Sequence, residues 1–185
     1  MKLLKKRKIS IIIAAIVIVF ATLLGVNISL NRLARNVEAM FYDGVFLEDA
    51  GFRQTSINQH LDNLAQAALD ISSVFRNHDE LSSRAEELIL VRRDLLDARS
   101  IRDKYIAYQG IQSAGTALIN EAQSVELNRR DMDSLAQFQM VFHGATGAIQ
   151  NSDYNIRARD FMDESSFIAQ FLRPFVFVTP PQTFA

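Results

Sequence analysis

The chain has 185 residues, of which 49% are hydrophobic and 22% charged, with a formal net charge of −1 and no cysteine. The lack of cysteine excludes disulfides and thiol chemistry. Five of the 20 basic residues lie in the first eight positions and all 21 acidic residues follow residue 31, so residues 32–185 carry a net charge of −6. This acidic part lacks the basic surface that nucleic-acid binding needs, and we expect no nucleic-acid partner.

The N-terminus has the pattern of a membrane anchor. The stretch Ile9–Asn31 contains no charged residue and follows the basic residues of positions 1–8. About 20 apolar residues in a helix span a hydrocarbon core of roughly 30 Å. Because positive charge favours the cytoplasmic side, we predict a cytoplasmic tail over residues 1–8, a lipid-embedded anchor over 9–31 and an extracytoplasmic remainder.

A cleaved secretory signal is the alternative for this stretch. Such signals usually have an apolar region of about 7–15 residues followed by a cleavage site of small residues. The apolar region here is longer, and Gly25–Ser29 offers no good cleavage match. The sequence therefore favours an anchor that is retained in the cell membrane.

Residues 32–172 are predicted to be an all-α bundle, because the three prolines all lie at or beyond Pro174 and no alternating strand pattern occurs. Segment one follows the anchor as far as Leu47. The hydrophobic phase then slips over residues 48–56, where Gly51 is a plausible stop and Ser56 a plausible N-cap. Three further amphipathic segments follow in the chain.

Segment two has the strongest helical spacing, with apolar positions at Ile57, Leu61, Leu64, Ala68, Ile71 and Phe75. Segment three is predicted as one long helix over residues 81–122, kinked at Gly115. Segment four opens near Asp131 or Asp133 and continues unbroken through Ile156. These segments predict an up-and-down antiparallel bundle of four helices. Three long helices result instead if segments one and two form one rod.

The C-terminal residues 173–185 are rich in phenylalanine and proline and are predicted to be extended. In one interpretation this tail packs across the end of the bundle and closes its core. In the other it is exposed and contacts a partner chain or a lipid surface. The candidate residues for such a partner or membrane contact are Phe171, Phe175, Phe177 and Phe184.

The end of the chain resembles the LemA family. The resemblance is carried by Asp153–Phe161, with its Tyr-Asn helix start, by Phe171–Phe175 and by Phe177–Phe184, which match a Phe-x-x-Pro…Phe tail. The exit of segment two, with His78-Asp79, is similar to the helix that ends in a His-Glu pair in that family. The resemblance implies a membrane-anchored helical bundle without established catalytic activity, and it implies no site residues.

Catalytic and metal-binding motifs are not found in the sequence. The three histidines, His60, His78 and His143, lack the spacing of a zinc or di-iron site, and His78-Asp79-Glu80 is interpreted as a turn and helix N-cap. We therefore expect no catalytic residue, no cofactor and no bound metal. Stoichiometric zinc or iron in the purified protein would favour an enzyme instead.

The function expected from these features is that of a non-enzymatic, single-pass membrane protein. Its outer bundle would act as an envelope scaffold or protein-interaction module with an unknown protein partner, and homo-oligomers are possible. The alternative is a ligand-sensing extracytoplasmic bundle. Since eight N-terminal residues are too few for an output module, that sensor would signal through another membrane protein.

Overall fold

The computed structural model describes residues 2–172 and 180–184. Within them the chain forms six α-helices and one two-stranded hairpin: α1 Lys2–Asp43, β1 Phe46–Leu47, β2 Phe52–Arg53, α2 Ile57–Phe75, α3 Ser82–Asp97, α4 Ile101–Ala122, α5 Arg129–Gln150 and α6 Asp153–Leu172. The all-α prediction is confirmed. The chain divides into two compact units, Met1–Glu38 with Arg157–Pro181 and Ala39–Ile156 with Gln182–Ala185, called the first and second unit below.

The second unit contains the helical bundle. Its helix α2 packs against both α3 and α5, α3 packs against α4, and α4 contacts α5, which closes a ring of four helices. All six apolar positions predicted for segment two are buried on α2. The bundle is therefore built around the segment with the clearest spacing.

Segment one ends earlier than predicted, at Asp43, and α1 and α2 are separate helices. Gly44 terminates α1 with φ +82°, and a Cβ there would lie 2.0 Å from the carbonyl oxygen of Gln54. Only glycine fits both requirements. The antiparallel hairpin β1–β2 fills the region of the phase slip, a feature that the all-α interpretation lacked.

Ser56 caps α2 as predicted, because its hydroxyl accepts the backbone N–H of Gln59 at 3.1 Å. The prediction of one long helix over residues 81–122 is wrong. The chain breaks at Ala98, which is extended, and restarts at Ser100, whose hydroxyl accepts the N–H of Asp103 at 3.0 Å. Because only a short link joins them, α3 and α4 pack side by side and antiparallel.

Segment four is also two helices, with a break at residues 151–152. The hydroxyl of Ser152 accepts the N–H of Tyr154 at 3.3 Å, and Ile156, predicted in the apolar stripe, is exposed. Helix α4 runs without a break through Gly115, where the sequence predicted a kink. A Cβ there would come within 2.5 Å of the Phe142 ring, so glycine is needed for the close approach of α4 and α5.

Candidate interaction site

Of the four phenylalanines predicted as partner or membrane contacts, the structure describes the side chain of Phe184 only. Phe175 and Phe177 lie outside the described residues, and so does the side chain of Phe171, which belongs to α6. Phe184 is described and is only 2% exposed. At Phe184 the exposed-contact prediction is therefore corrected, and the tail packs onto the protein there.

The ring of Phe184 is held among three other aromatic rings of the second unit. Its centroid lies 5.2 Å from that of Tyr105, in an edge-to-face arrangement, and 5.5 Å from those of Phe41 and Tyr108. These separations are in the range where aromatic pairs attract each other beyond the effect of area burial. Phe41 lies near the end of α1, and the two tyrosines lie one helical turn apart on α4.

The main chain of Phe184 is held by a single side chain, that of Asn155. The Asn155 amide nitrogen donates to the Phe184 carbonyl oxygen at 2.8 Å, and its amide oxygen accepts the Phe184 N–H at 2.9 Å. Asn155 is itself 9% exposed, so this pair satisfies groups that would otherwise be buried without partners. Asn155 thus pairs with the tail much as a neighbouring strand would.

Two further bonds fix Gln182. The hydroxyl of Tyr154 donates to the Gln182 carbonyl oxygen. The Gln182 side-chain oxygen accepts the backbone N–H of Arg102 at 2.9 Å, at the first turn of α4. That N–H lacks a partner within its own helix, so Gln182 completes the cap begun by Ser100. We call Phe41, Arg102, Tyr105, Tyr108, Tyr154 and Asn155 together the Phe184 socket.

Burial raises the pKa of the Tyr108 hydroxyl in this socket, and a hydrogen bond with Thr146 opposes that increase. Tyr108 is consequently neutral at physiological pH, as are the amide and phenyl groups around it. Recognition in the socket therefore depends on ring contacts and hydrogen bonds. The LemA-like resemblance drew attention to Tyr154-Asn155, whereas Phe41, Arg102 and Gln182 were not singled out by the sequence.

The three histidines all belong to the second unit. His78 occupies the turn after α2, where its Nε2 lies 2.8 Å from Oδ2 of Asp131 on α5. The same carboxylate accepts the Asn128 amide N–H at 2.6 Å. The N-cap predicted within residues 78–80 is wrong: Leu81 occupies the N-cap position of α3 and makes no side-chain cap bond.

The other two histidines are on helix surfaces. Burial lowers the pKa of His60 on α2, and His143 on α5 packs edge-on against the Phe142 ring with centroids 5.5 Å apart. Among the residues that the structure describes, no three His, Asp or Glu side chains are grouped to hold a metal ion. His78 and Asp131 therefore act as a two-residue link between the α2–α3 turn and α5.

Two of the cavities that open on the bundle surface are lined by residues of α2. One of about 400 Å³ lies between α2 and α3 and is lined by Leu69, Ser72, Ser73, Arg76, Ala85, Glu86, Ile89 and Leu90. Ser72 is buried there, and its hydroxyl has no hydrogen-bond partner within the described residues. The other, of about 330 Å³, lies between α2 and α5. The first combines apolar walls with an unpaired polar atom.

The N-terminal helix presents a long, exposed apolar surface. Ser10–Asp43 is long and apolar enough to cross a membrane, with a mean hydropathy of 2.8 in its most apolar window, none of which is buried. Side chains such as Ile11, Ile16 and Phe20 are each more than 60% exposed. A core helix of a soluble protein would bury such residues.

Comparison of the chain with protein-family models, with curated proteins and with solved structures finds no match. The function is therefore inferred from the chemistry of the N-terminal helix and of the second unit.

Proposed function

We propose that the protein is a non-enzymatic, single-pass membrane protein related to the LemA family, whose helical bundle is an interaction module or scaffold of the cell envelope. The observation that carries this proposal is the uncovered apolar surface of α1. Soluble monomers rarely expose contiguous apolar patches of more than a few hundred Å². Lipid is the environment that covers such a helix, since every backbone group is already paired within it.

The proposed orientation places the N-terminus in the cytoplasm. The five basic residues before the span outnumber Arg32 and Arg35, the basic residues that follow it closely. Cytoplasmic segments next to a span carry the excess of lysine and arginine, and this bias sets topology. The bundle, with its acidic net charge, then faces the outside of the cytoplasmic membrane.

Membrane extraction and protease accessibility test this proposal. The full chain with an N-terminal tag should stay in the membrane pellet after alkaline carbonate extraction. Protease added outside spheroplasts should digest the bundle and leave the tag protected. N-terminal sequencing of the mature protein separates an anchor from a cleaved signal. A soluble mature chain that begins near residue 30 would contradict the proposal.

Interaction through the bundle is tested separately. The full chain in mild detergent, crosslinked in intact cells, should recover the same protein partner reproducibly. Metal analysis of this preparation addresses the enzyme alternative, which bound zinc or iron at one equivalent would favour.

A ligand-sensing bundle is the second candidate function, and the cavity between α2 and α3 favours it. The unpaired Ser72 hydroxyl gives a small polar molecule a bonding partner beside an apolar wall. A ligand that raises the melting temperature of the wild type but not of Ser72→Ala would support this function. Ser73→Ala is the matched control, because that hydroxyl is already bonded to the Leu69 carbonyl oxygen.

A further inference from the structure

The C-terminal tail is recognised through a very short segment. Every tail contact described above involves Gln182 or Phe184, and both residues group with the second unit. The socket binds one ring, two backbone carbonyls, one backbone N–H and one amide side chain. Each of these contacts can form equally well with this segment of the same chain or of another copy.

The residues that precede this segment in the chain are grouped with the first unit. Residues Arg157–Pro181 belong to the first unit, and the grouping changes between Pro181 and Gln182. A terminal segment that docks onto a different unit from the residues leading to it can be replaced by the same segment of another copy without losing a contact. Exchange of an identical element between protomers is a low-cost route to association.

We propose that the Phe184 socket accepts the Gln182–Phe184 segment of a second copy of this chain, so that two copies associate by exchanging their C-termini. This inference names the partner of the proposed interaction module and therefore rests on that function. Confinement of copies to one membrane raises their effective concentration and favours exchange. A partner protein with an extended Gln-x-Phe segment would compete for the same socket.

The test uses two full-length variants with different N-terminal tags in mild detergent. Phe184→Ala removes the ring from the socket of one copy and weakens the docking of its own tail. Asn155→Ala weakens the socket of the other copy and releases an intact tail. The mixture should form mixed pairs about tenfold more than either variant alone, as expected from a pair of buried hydrogen bonds. A peptide of residues 180–185 should suppress these pairs.

Asn151→Ala is the matched control for Asn155→Ala. Asn151 is exposed and donates to the Gly147 carbonyl oxygen of its own helix, so its loss leaves the tail docked. Copies with this change should pair with the Phe184→Ala copy as much as wild-type copies do, and less than Asn155→Ala copies do. Circular dichroism melts check that each variant is folded.

Direct binding of the labelled peptide is the second measurement. It should bind Phe184→Ala saturably and bind the wild type less, because the wild-type socket is filled. Absence of both mixed pairs and peptide binding, with folded variants, would overturn the inference. If copies pair but the chain is released from the membrane by carbonate extraction, the anchor is refuted and the exchange of C-termini still stands. Failure of this inference is therefore distinguishable from failure of the proposed function.

Discussion

The two apolar ends of this chain were both candidates for contact with lipid or a partner, and they differ in their exposure in the structure. Near the N-terminus, Ile16 and Phe20 remain exposed on a continuous helix. Near the C-terminus, Phe184 is buried among three rings. Hydrophobicity alone does not separate these outcomes, since phenylalanine occurs in both places.

The difference lies in the backbone. Helix α1 pairs its own N–H and C=O groups, so its side chains are free to face an apolar environment. The extended tail has no such internal pairing and needs partners for its backbone when it is buried. Asn155 and Tyr154 supply them. An extended apolar tail is therefore buried on the protein where polar side chains form hydrogen bonds with its backbone groups.

The largest expected effect comes from charging the exposed apolar helix. Ile16→Asp combined with Val19→Asp places two carboxylates at the centre of the proposed span, at a cost of about 5–7 kcal/mol. We expect the chain to shift from the carbonate-resistant pellet to the soluble or degraded fraction. Immunoblotting of fractions through an N-terminal tag measures this shift.

The matched control charges two exposed positions of the second unit, Ile106→Asp with Met140→Asp. Both side chains are more than half exposed, at 57% and 73%. Membrane fractionation should remain that of the wild type. If the chain with these two control substitutions leaves the membrane as completely as the chain with Ile16→Asp and Val19→Asp, the loss of membrane association reflects general misfolding and not the disruption of a membrane span.

Removal of the buried ring is the next largest effect. Phe184→Ala should lower the free energy of unfolding by about 3 kcal/mol, the lower part of the range for buried phenylalanine, because the surrounding side chains can partly fill the space left by the ring. Chemical denaturation followed by circular dichroism measures it. Phe52→Ala, at an exposed ring of the hairpin, should change it by about 0.5 kcal/mol or less. Equal effects would mean that the socket does not contribute to stability.

Packing between α4 and α5 gives a smaller effect. Gly115→Ala should destabilise the bundle by about 1–3 kcal/mol, because its Cβ overlaps the Phe142 ring. Gly144→Ala, where nothing lies within 4 Å, should stabilise α5 by up to about 1 kcal/mol. Gly25→Ala in the apolar helix is also unobstructed and should leave the unfolding of the bundle unchanged. The same sign at 115 and 144 would contradict the packing described here.

The smallest effect is a pH dependence from His60. Burial lowers the pKa of His60 in the folded chain, so below about pH 6.5 the unfolded chain takes up a proton that the folded chain does not. Stability is therefore lost as the pH falls from about 6.5 toward the folded pKa. His60→Gln should reduce the loss of melting temperature between pH 7.5 and pH 5. An unchanged loss would show that other groups govern it.

Local patterns in the sequence predicted the packed face of α2 and its Ser56 cap because both depend on residues close in the chain. The break between α3 and α4 also had a local signal, Ser100 three residues before Asp103, but the apolar stripe continued across it and masked the turn. The hairpin strands of two residues each are too short to show alternation.

The socket was harder to predict because its parts come from distant positions. Phe41 and Phe184 are separated by most of the chain, and Arg102 offers only a backbone N–H, which has no sequence signature. Tyr154-Asn155 could be noticed through the LemA-like resemblance, but the tail bonds they make could not be deduced from that motif. The N-terminal helix was the opposite case, since length and composition suffice to recognise a helix that is long and apolar enough to cross a membrane.

The burial of Phe184 has a practical consequence for handling this protein. A purification tag or fluorescent reporter inserted next to Phe184 would be attached beside a ring that is enclosed by the fold. Such an insertion would compete with the contacts that hold Gln182 and Phe184 in the socket. Reporters therefore belong at the N-terminus or in the polar connection between α4 and α5, so that the Phe184 socket stays intact in crystallisation and binding assays.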